Sequence, residues 1–189
     1  MESFTEENLN VAAKELAEKV LKFPDFPKKG ILFYDLFSIL YDPKLRTLVF
    51  NCLLYVIKRD FSGKFDSIAG LESRGVALGL HLAETLKVPF VAIRKPGKLP
   101  GECISASFQK EYGQDTVEVQ KHCIPKGARV LLVDDLIATG GTYSACDKII
   151  KTCEGQVAGY VSLFEIAALG GKKLLEHPEL SRAVISIND

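Results

Sequence analysis

The sequence predicts an α/β fold in which a mostly parallel, twisted central sheet is flanked by helices on both faces. The main observation is a set of short runs that are apolar along nearly their whole length, at residues 65–71, 89–95, 128–135 and 156–166. Segments with helical spacing of apolar residues, 75–86 and 142–153, follow two of these runs. Such alternation is typical of parallel sheets covered on both faces. The length of 189 residues suits one domain, residues 1–189.

Two helices are predicted before the first of these strands. Apolar residues recur at helical intervals over about residues 5–21, and Ser3 and Glu6 have the spacing of a capping box. Pro43 suits the first turn of a second helix, which should extend to about Asp60.

One long segment interrupts the alternation of strands and helices. Residues 95–120 are polar and rich in Gly and Pro, and they end in the alternating sequence "TVEVQ". Long irregular segments in compact domains are usually active-site covers or disordered. We therefore predict an irregular, mobile loop there. The C-terminal residues 181–189 are the least diagnostic part of the chain, and no element is predicted for them.

Composition excludes several classes of function. Lys plus Arg and Asp plus Glu number 24 each, so no overall charge would attract nucleic acid or an anionic membrane. The N-terminus lacks the pattern of a signal peptide, and no apolar run approaches the length of a membrane span. The five cysteines are scattered and form no C-x-x-C pair, which argues against a disulfide framework or a structural zinc site. We expect a cytoplasmic protein with mostly buried, reduced thiols.

The strongest functional signal is a glycine-rich turn that follows the third predicted strand and opens a helix. The turn consists of Thr139, Gly140, Gly141 and Thr142, and Ala138 precedes it. Its backbone N–H groups, its two hydroxyls and the positive helix end suit one phosphate group, and the glycines let a ligand approach closely. The patterns of a dinucleotide fingerprint and of a P-loop are absent. Without the P-loop lysine, a phosphate monoester is favoured over a polyphosphate.

Two adjacent carboxylates, Asp134 and Asp135, lie at the end of the strand before this turn. In an open parallel sheet, ligands gather at the carboxyl ends of the strands. If the phosphate belongs to a sugar phosphate, the carboxylates can accept both vicinal ribose hydroxyls and favour positive charge that develops at the anomeric carbon. Taken by itself, the pair could instead cap turns or represent a Walker-B-like aspartate without its Walker A sequence.

With these residues, the stretch "VLLVDDLIATGGT" (130–142) resembles the phosphoribosyl diphosphate (PRPP) signature of type I phosphoribosyltransferases, which binds the ribose 5-phosphate. The likeness extends over most of the chain. The segments "FPDFPKKGILFYDL", "GLESRG", "IRKPGKLPGE", "EYGQDTVEVQK" and "VSLFEIAALGGKKLL" occur in the order and spacing of the adenine-specific members. The resemblance implies the type I phosphoribosyltransferase fold, with a flexible hood loop and a small base-binding N-terminal region at about residues 1–40.

The resemblance also assigns a basic region to the departing diphosphate. The diphosphate loop would consist of Glu72, Ser73 and Arg74. Family members carry a cis peptide before that serine, a bond that occurs only where the surroundings enforce it. A second basic group would consist of Arg94, Lys95 and Lys98. The resemblance implies that Lys98, together with Arg94 and Lys95, would reach the diphosphate across a homodimer interface. Ordinary solvated charges are the alternative for these side chains.

A mobile hood is implied by the match of "KEYG" (110–113) to the segment that closes over the family's active site. Closure would exclude water from the activated sugar. Glu111 corresponds to the carboxylate that assists proton transfer on the attacking purine, and Tyr112 corresponds to a hood residue near the substrates. Because the nucleophile is the nitrogen of the base, no Ser/His/Asp or Cys/His constellation is required. A solvated loop glutamate is the alternative for Glu111.

The stretch "PKKGILFYDL" (27–36) resembles the family's base pocket. Phe33 could stack on the purine, and Ala138 and Ile166 could complete an apolar slot. Backbone groups of Leu32 and Tyr34 could read the adenine edge, and those hydrogen bonds would reject a 6-oxopurine. Tyr34 stands where the family often has Arg or Lys, so base affinity depends on whether that cation matters. From residue type alone, Phe33 could equally be a core residue of a strand.

The first functional hypothesis is a transferase of purine salvage, which converts adenine and PRPP into AMP and diphosphate and forms a homodimer. It would use Mg²⁺ bound mainly through the oxygens of PRPP and diphosphate. The alternatives are a phosphoribosyltransferase for another purine base, a non-catalytic module that senses PRPP, or a generic sugar-phosphate-binding protein. A sensing module should lack the complete hood and basic loops or carry a basic nucleic-acid-binding extension. This chain has the loops and lacks such an extension, so we expect binding to neither nucleic acid nor membrane.

Overall fold

A computed structural model describes residues 4–110 and 113–187 of the chain. The helices are α1 (Glu6–Lys19), α2 (Leu36–Tyr41), α3 (Pro43–Phe61), α4 (Arg74–Leu86) and α5 (Gly141–Thr152). The strands are β1 (Leu21–Pro24), β2 (Leu32–Asp35), β3 (Ser67–Leu71), β4 (Phe90–Ile93), β5 (Cys103–Lys110), β6 (Gly113–Gln120), β7 (Arg129–Ile137), β8 (Gln156–Ile166) and β9 (Ser181–Ile187). Short 3₁₀ turns lie at Lys121–Cys123, Ala167–Leu169, Gly171–Leu174 and Pro178–Leu180.

The central sheet has five strands in the order β4-β3-β7-β8-β9, and each neighbouring pair is parallel. Helices α1, α3 and α4 cover one face, where Leu53 and Leu131 belong to one apolar core. Helix α5 covers the other face together with β5 and β6, which pair antiparallel and are called the ribbon below. Val119 of the ribbon and Leu132 of the sheet belong to this second core. The predicted α/β fold, a parallel sheet flanked by helices, is confirmed.

The first residues of helices α3 and α1 show how capping side chains define the start of a helix. Helix α3 begins at Pro43 as predicted, and the carboxylate of Asp42 caps it by accepting the N–H of the second helical residue at 2.7 Å. The prediction of a capping box from Ser3 is wrong, because Thr5 is the N-cap residue of α1. The Thr5 hydroxyl accepts Asn8 N–H at 3.3 Å, and Asn8 Oδ1 accepts Thr5 N–H at 2.9 Å. The helix itself is where the apolar periodicity places it.

Glycines let α4 lie unusually close to β3. A Cβ atom added at Gly70 would be 2.5 Å from the carbonyl oxygen of Gly75, and one added at Gly79 would be 3.0 Å from Gly70 Cα. Helix α4 starts at Arg74, just beyond the carboxyl end of β3. The close contact therefore holds Arg74 against the edge of the sheet at which β3 and its neighbour β7 end.

Two expectations for the second half of the chain need correction. The prediction of an irregular segment over residues 95–120 is wrong, because most of it forms the ribbon. Val117 and Val119 of the ribbon are buried against the sheet, whereas its other face is largely polar. Residues 181–189, for which no element is predicted, contain the edge strand β9. The mobility of residues 95–120 stays a prediction. Within the described ranges, no helix has the length and apolar character to cross a membrane.

Candidate active site

The carboxyl edge of the sheet brings several predicted site residues together. Strand β7 ends at Ile137 and leads through the glycine turn into α5, while β3 ends at Leu71 and leads through Glu72 and Ser73 into α4. Because β3 and β7 are parallel neighbours, both connections leave the sheet at the same edge. Ligand-binding loops of open α/β sheets occupy this position.

The acidic pair lies inside β7 rather than at its end. Asp134 pairs with Ser162 of β8, and the strand continues to Ile137. Asp134 is 7% exposed and Asp135 is 4% exposed. Asp135 N–H donates to Asp134 Oδ1 at 2.8 Å, and Asp135 Oδ2 lies 3.1 Å from Nη1 of Arg74. The expected position at the strand end is thus corrected to a buried one within the strand.

This burial changes how the two acids ionise. Burial raises the pKa of Asp134 well above its ordinary value, and the charge of Asp135 raises it further. Burial also raises the pKa of Asp135, but the guanidinium of Arg74 opposes that rise. Like charges in contact repel strongly away from water, so both acids do not ionise together. The pKa of Asp134 is therefore raised well above its ordinary value, whereas the guanidinium of Arg74 limits the rise in the pKa of Asp135.

Asp134→Asn should make the protein more stable than the wild type at neutral and alkaline pH. The raised pKa means that the folded state favours the protonated acid, so this contribution to stability is complete below the unfolded value of 3.8. It is lost as the pH rises through the folded pKa. Asparagine cannot ionise, so the gain of the variant in unfolding free energy should grow from pH 4 upward. Urea denaturation at a series of pH values measures it.

Asp66→Asn is a control for which the stability change should depend on pH in the opposite direction. Hydrogen bonds from Arg129 lower the pKa of Asp66 to about 2, so its contribution is present above the unfolded value of 3.8 and is lost as the pH falls toward 2. The Asp66→Asn variant should therefore lose more stability at pH 7 than at pH 2. A gain for Asp134→Asn that does not change with pH would contradict the protonation scheme of the acidic pair.

The glycine turn forms a small concavity at the start of α5. Residues 136–143 line a volume of about 80 Å³. Gly140 is the N-cap residue, with a φ of +80° that favours glycine, and its carbonyl accepts Ser144 N–H at 3.0 Å. The first N–H groups of a helix have no intrahelical partner, and the helix dipole adds positive potential there. The concavity therefore suits one anionic group of the size of a phosphate.

The backbone of Gly171 packs against the glycine turn, a contact that the sequence analysis does not identify. A Cβ atom at Gly140 would lie 2.0 Å from the carbonyl oxygen of Gly171. In return, a Cβ atom at Gly171 would lie 2.1 Å from the carbonyl oxygen of Ala138 and 2.7 Å from the nitrogen of Gly140. The backbone after β8 thus packs directly on the turn. The only local signal was the paired glycine in "ALGGKKLL", which does not reveal its partner.

Arg74 connects the acidic pair to the N-terminal hairpin of β1 and β2. Besides Asp135, its Nη1 donates to the carbonyl oxygen of Tyr34 at 3.4 Å. Its guanidinium carbon lies 4.8 Å from the centroid of the Phe33 ring. A guanidinium over an aromatic face is attracted by the ring. The sequence predicts a diphosphate contact for Arg74, and the structure adds that this side chain joins three segments of the candidate site.

The residues predicted for the diphosphate form two connected loops. The peptide between Glu72 and Ser73 is cis, which confirms that part of the prediction. The Glu72 carboxylate accepts from the Arg94 guanidinium and, at 3.2 Å, from Lys95 N–H. The hydrogen bond from Arg94 lowers the pKa of Glu72, so this carboxylate is ionised. Lys98 is exposed. Residues 94–98 are called the basic turn below.

The predicted base pocket lies on β2 and at the ends of β7 and β8. Along β2, Leu32 is exposed, Phe33 is half-buried and Tyr34 is buried against Phe164, with ring centroids 5.8 Å apart. The Tyr34 side chain therefore points into the core, and only its backbone is on the side of Arg74. Ile166 ends β8 at the same edge as Ala138, because Ile137 pairs with Glu165. The candidate contacts to the base are therefore Leu32, Phe33, Tyr34, Ala138 and Ile166.

The hood residues Glu111 and Tyr112 lie outside the described residues. Their roles stay predictions. Among residues 4–110 and 113–187, no group of three His, Cys, Asp or Glu side chains is arranged to hold a metal ion.

Comparison with known protein families gives one match that spans most of the chain. The model of the family described as "Phosphoribosyl transferase domain" matches residues 38–181. This range contains the acidic pair, the glycine turn, the diphosphate loop and the basic turn.

Individual relatives are similar over nearly their whole length. The adenine phosphoribosyltransferase of Candida albicans is 43% identical over 171 residues, which cover 90% of this chain and 89% of the relative. That of Mus musculus is 45% identical over 163 residues, which cover 86% of this chain and 90% of the relative. A crystal structure of the enzyme from Saccharomyces cerevisiae, complexed with an imino-altritol bisphosphate and adenine, superimposes with a TM-score of 0.87 at 39% identity, covering 93% of this chain and 99% of that one.

Proposed function

The chain belongs to the adenine phosphoribosyltransferases of the phosphoribosyl transferase domain family, and from that membership we propose how it converts adenine and PRPP into AMP and diphosphate. The reaction transfers the 5-phosphoribosyl group to N9 of adenine, a step of purine salvage. One observation carries the assignment of the site. The phosphate-sized concavity and the buried acidic pair adjoin one another at the carboxyl edge of the sheet.

The concavity would bind the 5-phosphate, and the acidic pair would bind the ribose. Donors for the phosphate are the N–H groups and hydroxyls of the segment Ala138, Thr139, Gly140, Gly141 and Thr142. Ribose hydroxyls are donors, and the carboxylates of Asp134 and Asp135 accept them. As the bond to diphosphate breaks, positive charge develops at the anomeric carbon. The carboxylate of Asp135, which is 4% exposed and lies beside Arg74, would stabilise that charge where water screens it little.

Adenine would lie beside Phe33, with Ala138 and Ile166 closing the slot. Tyr34 replaces a frequent family cation, but its buried side chain does not reach outward as a cation would. We therefore assign base recognition to the backbone of Leu32 and Tyr34. The exocyclic amino group of adenine donates a hydrogen bond that a 6-oxopurine cannot supply.

Glu111 would assist proton transfer on the attacking purine, and Tyr112 would cover the substrates. Both are adjacent to the described ends of the ribbon, Lys110 and Gly113. The ribbon is therefore the element that would carry the hood.

The departing diphosphate would meet the diphosphate loop and the basic turn. Glu72, Ser73 and Arg74 form the former, and Arg94, Lys95 and Lys98 form the latter. Mg²⁺ would be bound mainly through the oxygens of PRPP and diphosphate, because Mg²⁺ in such sites is commonly held by substrate phosphates and few protein ligands. When bound, it neutralises negative charge that develops on the diphosphate. The cations of the basic turn act on the same charge.

We propose a cytoplasmic homodimer as the working form. Exposed apolar side chains are concentrated around the N-terminal hairpin, namely Leu21, Phe23, Phe26, Leu32, Phe37 and Tyr41. Such a concentration supports burial against a second copy. All five cysteines are free thiols, and Cys52 and Cys146 are buried, which supports a reducing compartment. Sedimentation analysis should give twice the mass of the 20.8 kDa chain.

Incubating the protein with adenine, PRPP and Mg²⁺ should yield AMP and diphosphate in equal amounts. Chelation of Mg²⁺ should stop the reaction. Turnover with hypoxanthine or guanine in place of adenine would move the proposal to another base while keeping the reaction class. Binding of PRPP without any product would support a sensing module instead.

A further inference from the structure

Glu118 of β6 is a buried carboxylate that none of the assignments above uses. The residue is 8% exposed, and its neighbours Val117 and Val119 already face the second core. A carboxylate is rarely buried without partners, because removing its charge from water is costly. The partners of Glu118 lie in the basic turn, residues 94–98.

Glu118 holds the basic turn through three hydrogen bonds. Gly97 N–H donates to its Oε1 at 3.0 Å. Arg94 N–H donates to Glu118 O at 2.9 Å, and Glu118 N–H donates to Arg94 O at 2.7 Å. The turn itself is tight, because Lys98 N–H donates to Lys95 O at 3.3 Å and Gly97 has a φ of +76°. The carboxylate therefore anchors the apex of the turn, and the backbone anchors its start.

Glu72 provides a second carboxylate that contacts the same turn. Its carboxylate accepts from the guanidinium of Arg94 and from Lys95 N–H. The side chains of Lys95 and Lys98 are exposed, and Lys95 Nζ lies 3.8 Å from Asp115 Oδ2 of the ribbon. Two carboxylates thus shape the backbone of the turn while its lysines project outward.

We propose that Glu118 is a positioning residue for the leaving diphosphate, because its carboxylate fixes the backbone from which the cations of the basic turn project. The inference rests on the proposed function, which brings diphosphate to this turn. A negative charge near an anion site opposes binding of the anion. The benefit of the Glu118 carboxylate must therefore lie in the geometry that it gives to the basic turn. Groups that are already ordered bind more tightly because they lose less freedom on binding. Since Glu118 belongs to the ribbon, any movement of the ribbon also moves these cations.

Two substitutions separate geometry from charge. Glu118→Leu keeps the apolar bulk but removes the acceptor for Gly97 N–H, whereas Glu118→Gln keeps an acceptor and removes the charge. For the leucine variant, we expect the Kd for magnesium diphosphate and the KM for PRPP to rise about tenfold, with an unchanged KM for adenine. The glutamine variant should retain most of the wild-type affinity. Calorimetric titration of the folded proteins measures the Kd.

Glu102→Leu provides a control at the residue that directly precedes β5 of the ribbon. Glu102 is exposed and pairs with Lys121 at 2.7 Å, at the end of the ribbon away from residues 111 and 112. Its replacement should leave both constants at their wild-type values. A merely structural role of Glu118 would lower the folded fraction without changing the Kd of the folded protein.

The outcomes distinguish this inference from the proposed function. Unchanged diphosphate affinity in folded Glu118→Leu would overturn the inference, while formation of AMP by the wild type would still support the function. Equal weakening in Glu118→Gln would also overturn it, because charge and not geometry would then be responsible. Weakened diphosphate binding in the leucine variant alone, in a protein that transfers the phosphoribosyl group to another purine base but not to adenine, would support the inference and reject adenine as the substrate.

Discussion

Asp135→Asn is expected to lower kcat/KM for PRPP about 10²- to 10³-fold. The carboxylate lies 3.1 Å from the guanidinium of Arg74 in a residue that is 4% exposed, so its charge is poorly screened by water. Asparagine keeps the shape and one acceptor oxygen. It removes the negative charge that would face the anomeric carbon, and it leaves Arg74 beside a neutral amide. Steady-state kinetics at saturating adenine would measure the loss.

The control for this prediction is Asp66→Asn. Asp66 also pairs with an arginine, Arg129 at 2.6 Å, but it directly precedes β3 at the amino-terminal end of the sheet. We expect this variant to keep the wild-type kcat/KM. If Asp135→Asn also kept it, the assignment of the acidic pair to the transition state would be wrong.

Gly171→Ala is expected to weaken PRPP binding about 10²-fold, the scale that follows from displacing a binding group by about 1 Å. The new Cβ would lie 2.1 Å from Ala138 O and 2.7 Å from Gly140 N. Both are backbone atoms, so the turn itself must move. Overpacking of this kind also costs about 1–3 kcal/mol of unfolding free energy. Calorimetry with PRPP and urea denaturation would measure the two effects separately.

Gly170→Ala is the matched control for the loss of stability. Gly170 has a φ of +61°, so alanine is strained there by about 1–2 kcal/mol. Its added Cβ would meet nothing nearer than the Lys173 side chain at 3.7 Å. The variant should therefore lose stability and keep its affinity for PRPP. Equal loss of affinity in both variants would show that destabilisation alone, and not displacement of the turn, is responsible.

Local signals in the sequence were sufficient for several parts of the fold and site. Pro43 after a capping aspartate marks the start of α3 because both act within one helical turn. The apolar run of β7 and the two glycines after it identify the strand, the turn and α5, since each pattern is contained in a few consecutive residues. The acidic pair was found for the same reason.

The ribbon and β9 were not predicted, because neither has the nearly continuous apolar run that identifies the buried strands of the central sheet. In the ribbon, a polar face made residues 95–120 resemble a loop, although Val117 and Val119 of β6 are buried and Ile104 and Ala106 of β5 pack beside them. Strand β9 lies at the sheet edge, next to β8 alone, and its half-buried positions follow no strict alternation. Such strands are stabilised by neighbours that a local pattern does not contain.

The sequence by itself determined the parallel α/β fold, the glycine turn and the identity of the two acids beside it. Only the tertiary structure decided that Asp135 pairs with Arg74, that Gly171 packs behind Gly140 and that Glu118 holds the basic turn. Periodicity and turn chemistry act between neighbouring residues, so they can be read along the chain. Contacts between distant segments, and the burial that shifts the pKa of Asp134, exist only after the sheet brings those segments together.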